Sequence, residues 1–202
     1  MLVKVLVIAI LFPGGEARVI IAHDYILKEI NRFYLESSSP RISYQLLERE
    51  SFNLHLIDNQ KNTRTVIDYE PKGQWQLDNV KVEEKTLVKE TSYLGCNCLH
   101  FREKIITSGQ LFGGTAVDEK NIIACKSPLI EDYIKDSESL QFLGFYNHSS
   151  SNQHFPFELR VFFESEVGED FDLSVVTSIK EEVFDSTLFS ELLSIPLENG
   201  NK

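Results

Sequence analysis

Hydrophobic and polar positions alternate along most of this chain, and the places where alternation fails are as informative as those where it holds. Ile42, Tyr44 and Leu46 alternate with polar neighbours, as do Phe52, Leu54 and Leu56. Asp58 to Asn62 is a polar turn, and Thr63 to Tyr69 resumes the extended pattern. Pro71-Lys72-Gly73 precedes Trp75 and Leu77, and Asp78-Asn79 precedes Val80 and Val82. Short period-two runs separated by turn residues predict an antiparallel meander. Leu87-Val88, Cys98 to Ile106, Thr115 to Val117 and Ile122 to Cys125 extend it. Near the end, Phe157, Leu159, Val161 and Phe163, then Phe171, Leu173, Val175, Thr177 and Ile179, read as the two strands of a hairpin.

Helical spacing is expected at three places. Over residues 21–34, Ile26, Leu27, Ile30, Phe33 and Tyr34 form one apolar stripe, with Lys28, Glu29 and Arg32 facing away. There Asp24 of His23-Asp24 suits the helix N-terminus, and Ser37-Ser38-Ser39-Pro40 ends the helix. Pro128 opens a second helical segment with Leu129, Tyr133 and Ile134 in phase. The third runs from Ser186 to Leu193.

The N-terminus departs from both periods. Lys4 is followed by the unbroken apolar run Val5 to Phe12, then Pro13-Gly14-Gly15 and the small residues Gly15 and Ala17 before Arg18. That order matches a secretory signal peptide over residues 1–17; the alternative is a buried first β-strand. The run is too short for the roughly 20 apolar residues of a stable membrane span. Residues 18–195 then form a single domain, and residues 196–202 a flexible tail. With the leader reading, the chain is periplasmic or secreted.

Composition narrows the partners. A 202-residue chain with 42% hydrophobic residues can bury a real core. Its net charge of −11 repels phosphate backbones, so nucleic acid is not an expected partner. Adjacent acidic pairs such as Glu83-Glu84 and Glu181-Glu182 would point to opposite faces of a strand and read as solubilising surface rather than shared-proton dyads.

Candidate chemistry is thin. No Gly-x-Ser-x-Gly elbow occurs, and His148 and His154 flank a Ser/Asn-rich loop without an identifiable third ligand. His55, between Leu54 and Leu56, is expected to face solvent. Cys96, Cys98 and His100 give Cys-x-Cys-x-His, which lacks the usual zinc spacing. The three cysteines allow one disulfide, Cys98 or Cys96 with Cys125, since Cys96 to Cys98 would close a very small ring. No enzyme activity, metal or cofactor is expected from these residues.

The order of elements, with three local matches, resembles the outer-membrane lipoprotein carrier superfamily (LolA/LolB-like), nearest its uncharacterised periplasmic relatives. The matches are Val66-Ile67-Asp68-Tyr69 with Trp75-Gln76-Leu77, Tyr93-Leu94-Gly95-Cys96-Asn97-Cys98, and the stretch from Phe157 to the Asp185-Ser186-Thr187-Leu188-Phe189 finish. The resemblance implies an α+β fold: a curved antiparallel half-barrel with an N-terminal helix and an inserted helical segment packed on the concave face. It implies a non-enzymatic envelope domain that binds a hydrophobic ligand such as a lipid or a lipoprotein acyl chain. The expected lining is Tyr44, Leu46, Phe52, Leu54, Trp75, Phe157, Leu159, Val161 and Phe163. The alternative is a structural or interaction protein of the envelope, with a filled core and an acidic surface that docks another envelope protein.

Overall fold

The apolar run at the N-terminus is strand β1 (Leu2–Phe12) in the computed structural model, and it lies in the middle of the sheet. The structure describes residues 1–12, 14–33, 41–69, 80–109, 114–136, 139, 142–143, 155–163 and 170–198. After β1 come β2 (Gly15–Ile21), β3 (Tyr25–Arg32), β4 (Arg41–Glu48), β5 (Asn53–Asp58) and β6 (Thr63–Asp68). Then follow β7 (Val80–Tyr93), β8 (Cys96–Gly109), β9 (Gly114–Lys126), helix α1 (Pro128–Tyr133), β10 (Phe155–Phe163), β11 (Asp170–Asp185) and helix α2 (Thr187–Ser194).

Among the described residues these strands make one eleven-stranded sheet in the order β6-β5-β4-β3-β2-β1-β11-β10-β9-β8-β7. Two antiparallel meanders, β1–β6 and β7–β11, meet where β1 pairs with β11. The outermost strands β6 and β7 stand at opposite ends of the order, so the sheet is open and no barrel closes. It nevertheless curls. The Tyr93 hydroxyl at the end of β7 donates to the Val176 carbonyl of β11 at 3.1 Å. Four strand spacings, about 19 Å in a flat sheet, separate those strands, which a tyrosine cannot reach.

The centre of the sheet is covered on both faces. Register aligns Leu6 with Ile21, Ile21 with Ile26, Ile26 with Leu47, and Leu47 with Leu54. That row packs under Ile130, Ile134, Phe142 and Leu143. The neighbouring row, Val7, Ile20, Leu27 and Leu46, points to the other side and packs under Phe189 and Leu192 of α2. Tyr25 stacks on Phe189, ring centroids 5.1 Å apart, and closes that second core.

This double coverage corrects the expected fold class. The sequence reading places a helix over residues 21–34, in an α+β half-barrel helical on one side. In the structure Ile21 ends β2, residues 22–24 turn, and residues 25–32 are β3; Tyr34 lies outside the described residues. The turn is closed by the Ala22 N–H on the Tyr25 carbonyl, and Arg49 donates its backbone N–H to the Asp24 carbonyl. The error has a physical cause. A strand buried on both faces places apolar residues at adjacent positions, here Ile20-Ile21 and Ile26-Leu27, which erases the period-two signal. With Ile30 and Phe33 the remainder mimics a helical stripe. Of the inserted helical segment the structure describes the six-residue α1 and, beyond it, Ser139 and Phe142 in helical conformation, and the closing helix α2 packs on the face opposite to them.

Two further segments differ from expectation. The stretches read as separate strands around Thr115 and Ile122 are one strand, β9. Residues 196–198, expected in the free tail, pair with the edge strand β6: Arg64 donates its N–H to the Pro196 carbonyl, and Glu198 donates to the Arg64 carbonyl. Such cover blunts one sheet edge against pairing with other chains.

Candidate ligand-binding face

The larger of the two core clusters among the described residues contains the row from Leu6 to Leu54 with Ile8 and Val19, all buried. Its cover is the chain itself. Ile130 of α1, Ile134, Phe142 and Leu143 lie on it, and the Tyr69 ring meets Phe142 edge-on at 5.6 Å between centroids. Short helices such as α1 are marginal alone and depend on such packing.

A few polar contacts fasten this cover to the sheet. Arg49 spans the β2–β3 turn and the cover: its Nη1 donates to the carbonyls of Ala22 and His23, and its Nη2 to Asp136 at 3.0 Å. Burial pushes the Asp136 carboxyl up, but hydrogen bonds from Ser139 and Arg49 outweigh it and hold the group below the usual carboxylate range. Tyr133 donates its hydroxyl to Glu181 at 2.9 Å.

Lys28 is the unexpected member. Read as the polar side of a helix it faces away; as a β3 residue two positions from Ile26 it shares the apolar face, opposite Val19 and Gln45. Its Nζ donates to the Phe142 carbonyl and sits 4.4 Å from the centroid of the Phe142 ring. No carboxylate pairs with it among the described residues, and burial pushes its pKa down to about 8. The alternation Ile26–Lys28–Ile30 carried this signal, hidden by the competing helical reading.

The lowered value sets a pH dependence. The unfolded amine titrates near its usual 10.5. Between about 8 and 10.5 the unfolded chain therefore holds a proton that the folded chain has released, so stability rises with pH across that window. Below it the burial penalty is fully present. Lys28→Met is expected to flatten this rise relative to the parent chain and to raise stability at pH 7 by about 1–3 kcal/mol. Urea unfolding of both chains from pH 7 to 10.5 checks it, and parallel curves would contradict it.

The nine expected lining residues do not form one wall. Leu54 lies on the α1 face with Phe52 packed beside it, whereas Leu46 lies on the α2 face with Tyr44. Trp75 lies outside the described residues. Phe157, Leu159, Val161 and Phe163 are positions of β10, where Leu159 pairs with Ile122 and Val161 with Lys120 of β9.

Cys98 and Cys125 face each other across β8 and β9 and are disulfide-bonded, with Cα atoms 4.0 Å apart; Cys96 keeps a free, half-buried thiol. His100 points its Nε2 at Asn121 Oδ1, 3.0 Å away, so the Cys-x-Cys-x-His residues do not converge. His148 and His154 lie outside the described residues. His55, expected at the surface, is buried in line with Leu46. Its Nδ1 is 2.9 Å from Arg64 and its Nε2 is 3.2 Å from Glu48. Burial, aided by Arg64, keeps its pKa below the usual imidazole value despite Glu48. Ser51 donates its hydroxyl to Glu48 at 2.6 Å rather than meeting an imidazole base, so the group fastens the β4–β5 turn and prepares no nucleophile. Glu181 and Glu182 point apart as a strand requires, the first to Lys4 and Tyr133, the second to Arg18 and Lys180.

Two open grooves of about 370 and 360 Å³ also mark the surface. Their floors mix charge with apolar side chains: Arg18, Lys180 and Glu182 in the first, Arg32, Asp58 and Lys61 in the second. No helix among the described residues is long and apolar enough to cross a membrane.

No family model matches the chain, and no curated protein does. Among solved structures, the crystal structure of LprF from Mycobacterium bovis is similar over 87% of this chain and 83% of that one, at 9% identity and a TM-score of 0.38, a likeness too loose to carry an argument about function.

Proposed function

We propose that this chain is a non-catalytic binding module of the cell envelope whose ligand is a long acyl chain, lodged on the Leu6–Leu54 face in place of Phe142 and Leu143. The observation that carries the reading is the pairing of a continuous apolar face with a cover whose described polar ties are few. Magnitudes decide what kind of ligand could enter. Displacing Phe142 and Leu143 forfeits about 1.5–3 kcal/mol for each side chain. Each buried methylene returns about 0.8 kcal/mol, so ten methylenes return about 8 kcal/mol. Short or branched apolar molecules lose that exchange and long single chains win it.

The reading is tested by native mass spectrometry of gently purified protein, joined to titration with a neutral fluorescent acyl probe. Co-purifying lipid, or saturable probe binding at one site, is the expected result. A lipid-free protein that ignores the probe overturns it. A second reading has its own observation: the described face is already filled by the chain's own residues. On that reading the protein is a structural or interaction module, and its net charge of −11 supplies an acidic docking surface. Absence of both lipid and probe binding is the result that reading expects.

A further inference from the structure

We propose that Lys28 is the anchor for the head group of the bound molecule, so that the ligand is a single-chain amphiphile carrying a monoanionic carboxylate. The inference rests on the acyl-chain reading above and adds the chemistry of the polar end. Both described partners of the Lys28 ammonium, the Phe142 carbonyl and the Phe142 ring, belong to one residue, the one an entering chain would displace. Displacement therefore strips the amine of its hydrogen bond and its cation–π contact together. Around it remain Val19 and Gln45 across the strands and Ile26 along its own, none of which carries a negative charge.

A neutral ligand leaves that amine exposed on an apolar wall, where an unpaired charge is strongly disfavoured. A carboxylate restores more than was lost, because a charge-assisted hydrogen bond is stronger than one to a neutral carbonyl. The single charge favours a monoanionic head group, of which a carboxylate is the smallest. Arg49, the other cation fastening the cover, is already committed to Asp136. A lone ammonium balances a carboxylate, whereas a phosphate monoester would keep a second, unpaired charge. Among the described residues Lys28 has no carboxylate partner on this apolar face, and an anionic ligand would supply one.

The test compares dodecanoic acid with dodecan-1-ol, each displacing a neutral fluorescent acyl probe at pH 7, on the full chain and on its Lys28→Met variant. The parent is expected to bind the acid at least about tenfold more tightly than the alcohol. In Lys28→Met the acid weakens until the two ligands lie within about twofold, while the alcohol binds as well as before or better. Equal binding of acid and alcohol by the parent overturns the anchor and leaves the acyl-chain reading standing. So does an undiminished preference in Lys28→Met. If neither ligand displaces the probe and the probe itself does not bind, the acyl-chain reading falls and the anchor with it.

Discussion

A chain starting at Arg18 is expected to lose the cooperative eleven-stranded fold. β1 is the seam between the two meanders: it pairs with β11 from Leu2–Asp185 to Leu11–Val175 and with β2 from Leu6–Ile21 to Phe12–Gly15. Its removal leaves β2 and β11 with unpaired edges and strips both cores at once. Leu6 and Ile8 belong to the core under α1, and Val5 and Val7 to the core under α2. Burying four such side chains contributes about 6–12 kcal/mol, comparable to the whole stability of a domain this size. Circular dichroism and urea unfolding of residues 18–202 beside the full chain measure the effect. A truncated protein that unfolds cooperatively at the parent's midpoint would show that β2 and β11 can pair directly. The mass of the folded protein as the cell makes it bears on the same point, since a leader cut before Arg18 would remove the strand on which both cores rest.

Val5 to Phe12 illustrates what a sequence leaves open. A leader's apolar segment and a strand covered on both faces place the same demand on side chains, an uninterrupted apolar run, so residue identity cannot separate them. Elsewhere the reading is clear: β6 and the β10–β11 hairpin stand where alternation puts them. At β2 and β3 it fails for the physical reason that burial on both sides removes the polar partner of each alternation. The same cause hid Lys28 among the polar positions of a supposed helix and placed His55 at the surface. Bulges between Val82 and Glu84 and between Leu87 and Lys89 shift the phase of β7 and make one long strand look like fragments. As for the binding face, Tyr44, Leu46 and Leu54 lie on strands and Phe52 in the turn before β5, and which loop folds back over which face is a long-range choice that local pattern does not encode. Register sends them to two cores instead of one wall, because Leu54 stands opposite Leu47 and not Leu46.

The second large effect is expected from the Cys98–Cys125 bond, which spans 27 residues of sequence. In the folded chain it adds little order, because β8 and β9 are already zipped from Asn97–Lys126 to Gly109–Gly114. Its contribution comes from the unfolded state, where closing a loop of that length removes conformational entropy worth about 2–4 kcal/mol in the chain-entropy view. The double substitution Cys98→Ala with Cys125→Ala is therefore expected to lower the unfolding free energy by about that amount, slightly more if the vacated sulfur volume stays empty. Alanine is the informative replacement, since both positions are buried and a serine hydroxyl would add a desolvation cost of its own. Cys96→Ser, at a half-buried thiol outside the bond, is the control and should move stability little. Alkylation of the denatured, unreduced chain should label one cysteine, and three after reduction. A stability loss that follows Cys96 instead, or labelling of all three without reductant, would contradict the pairing.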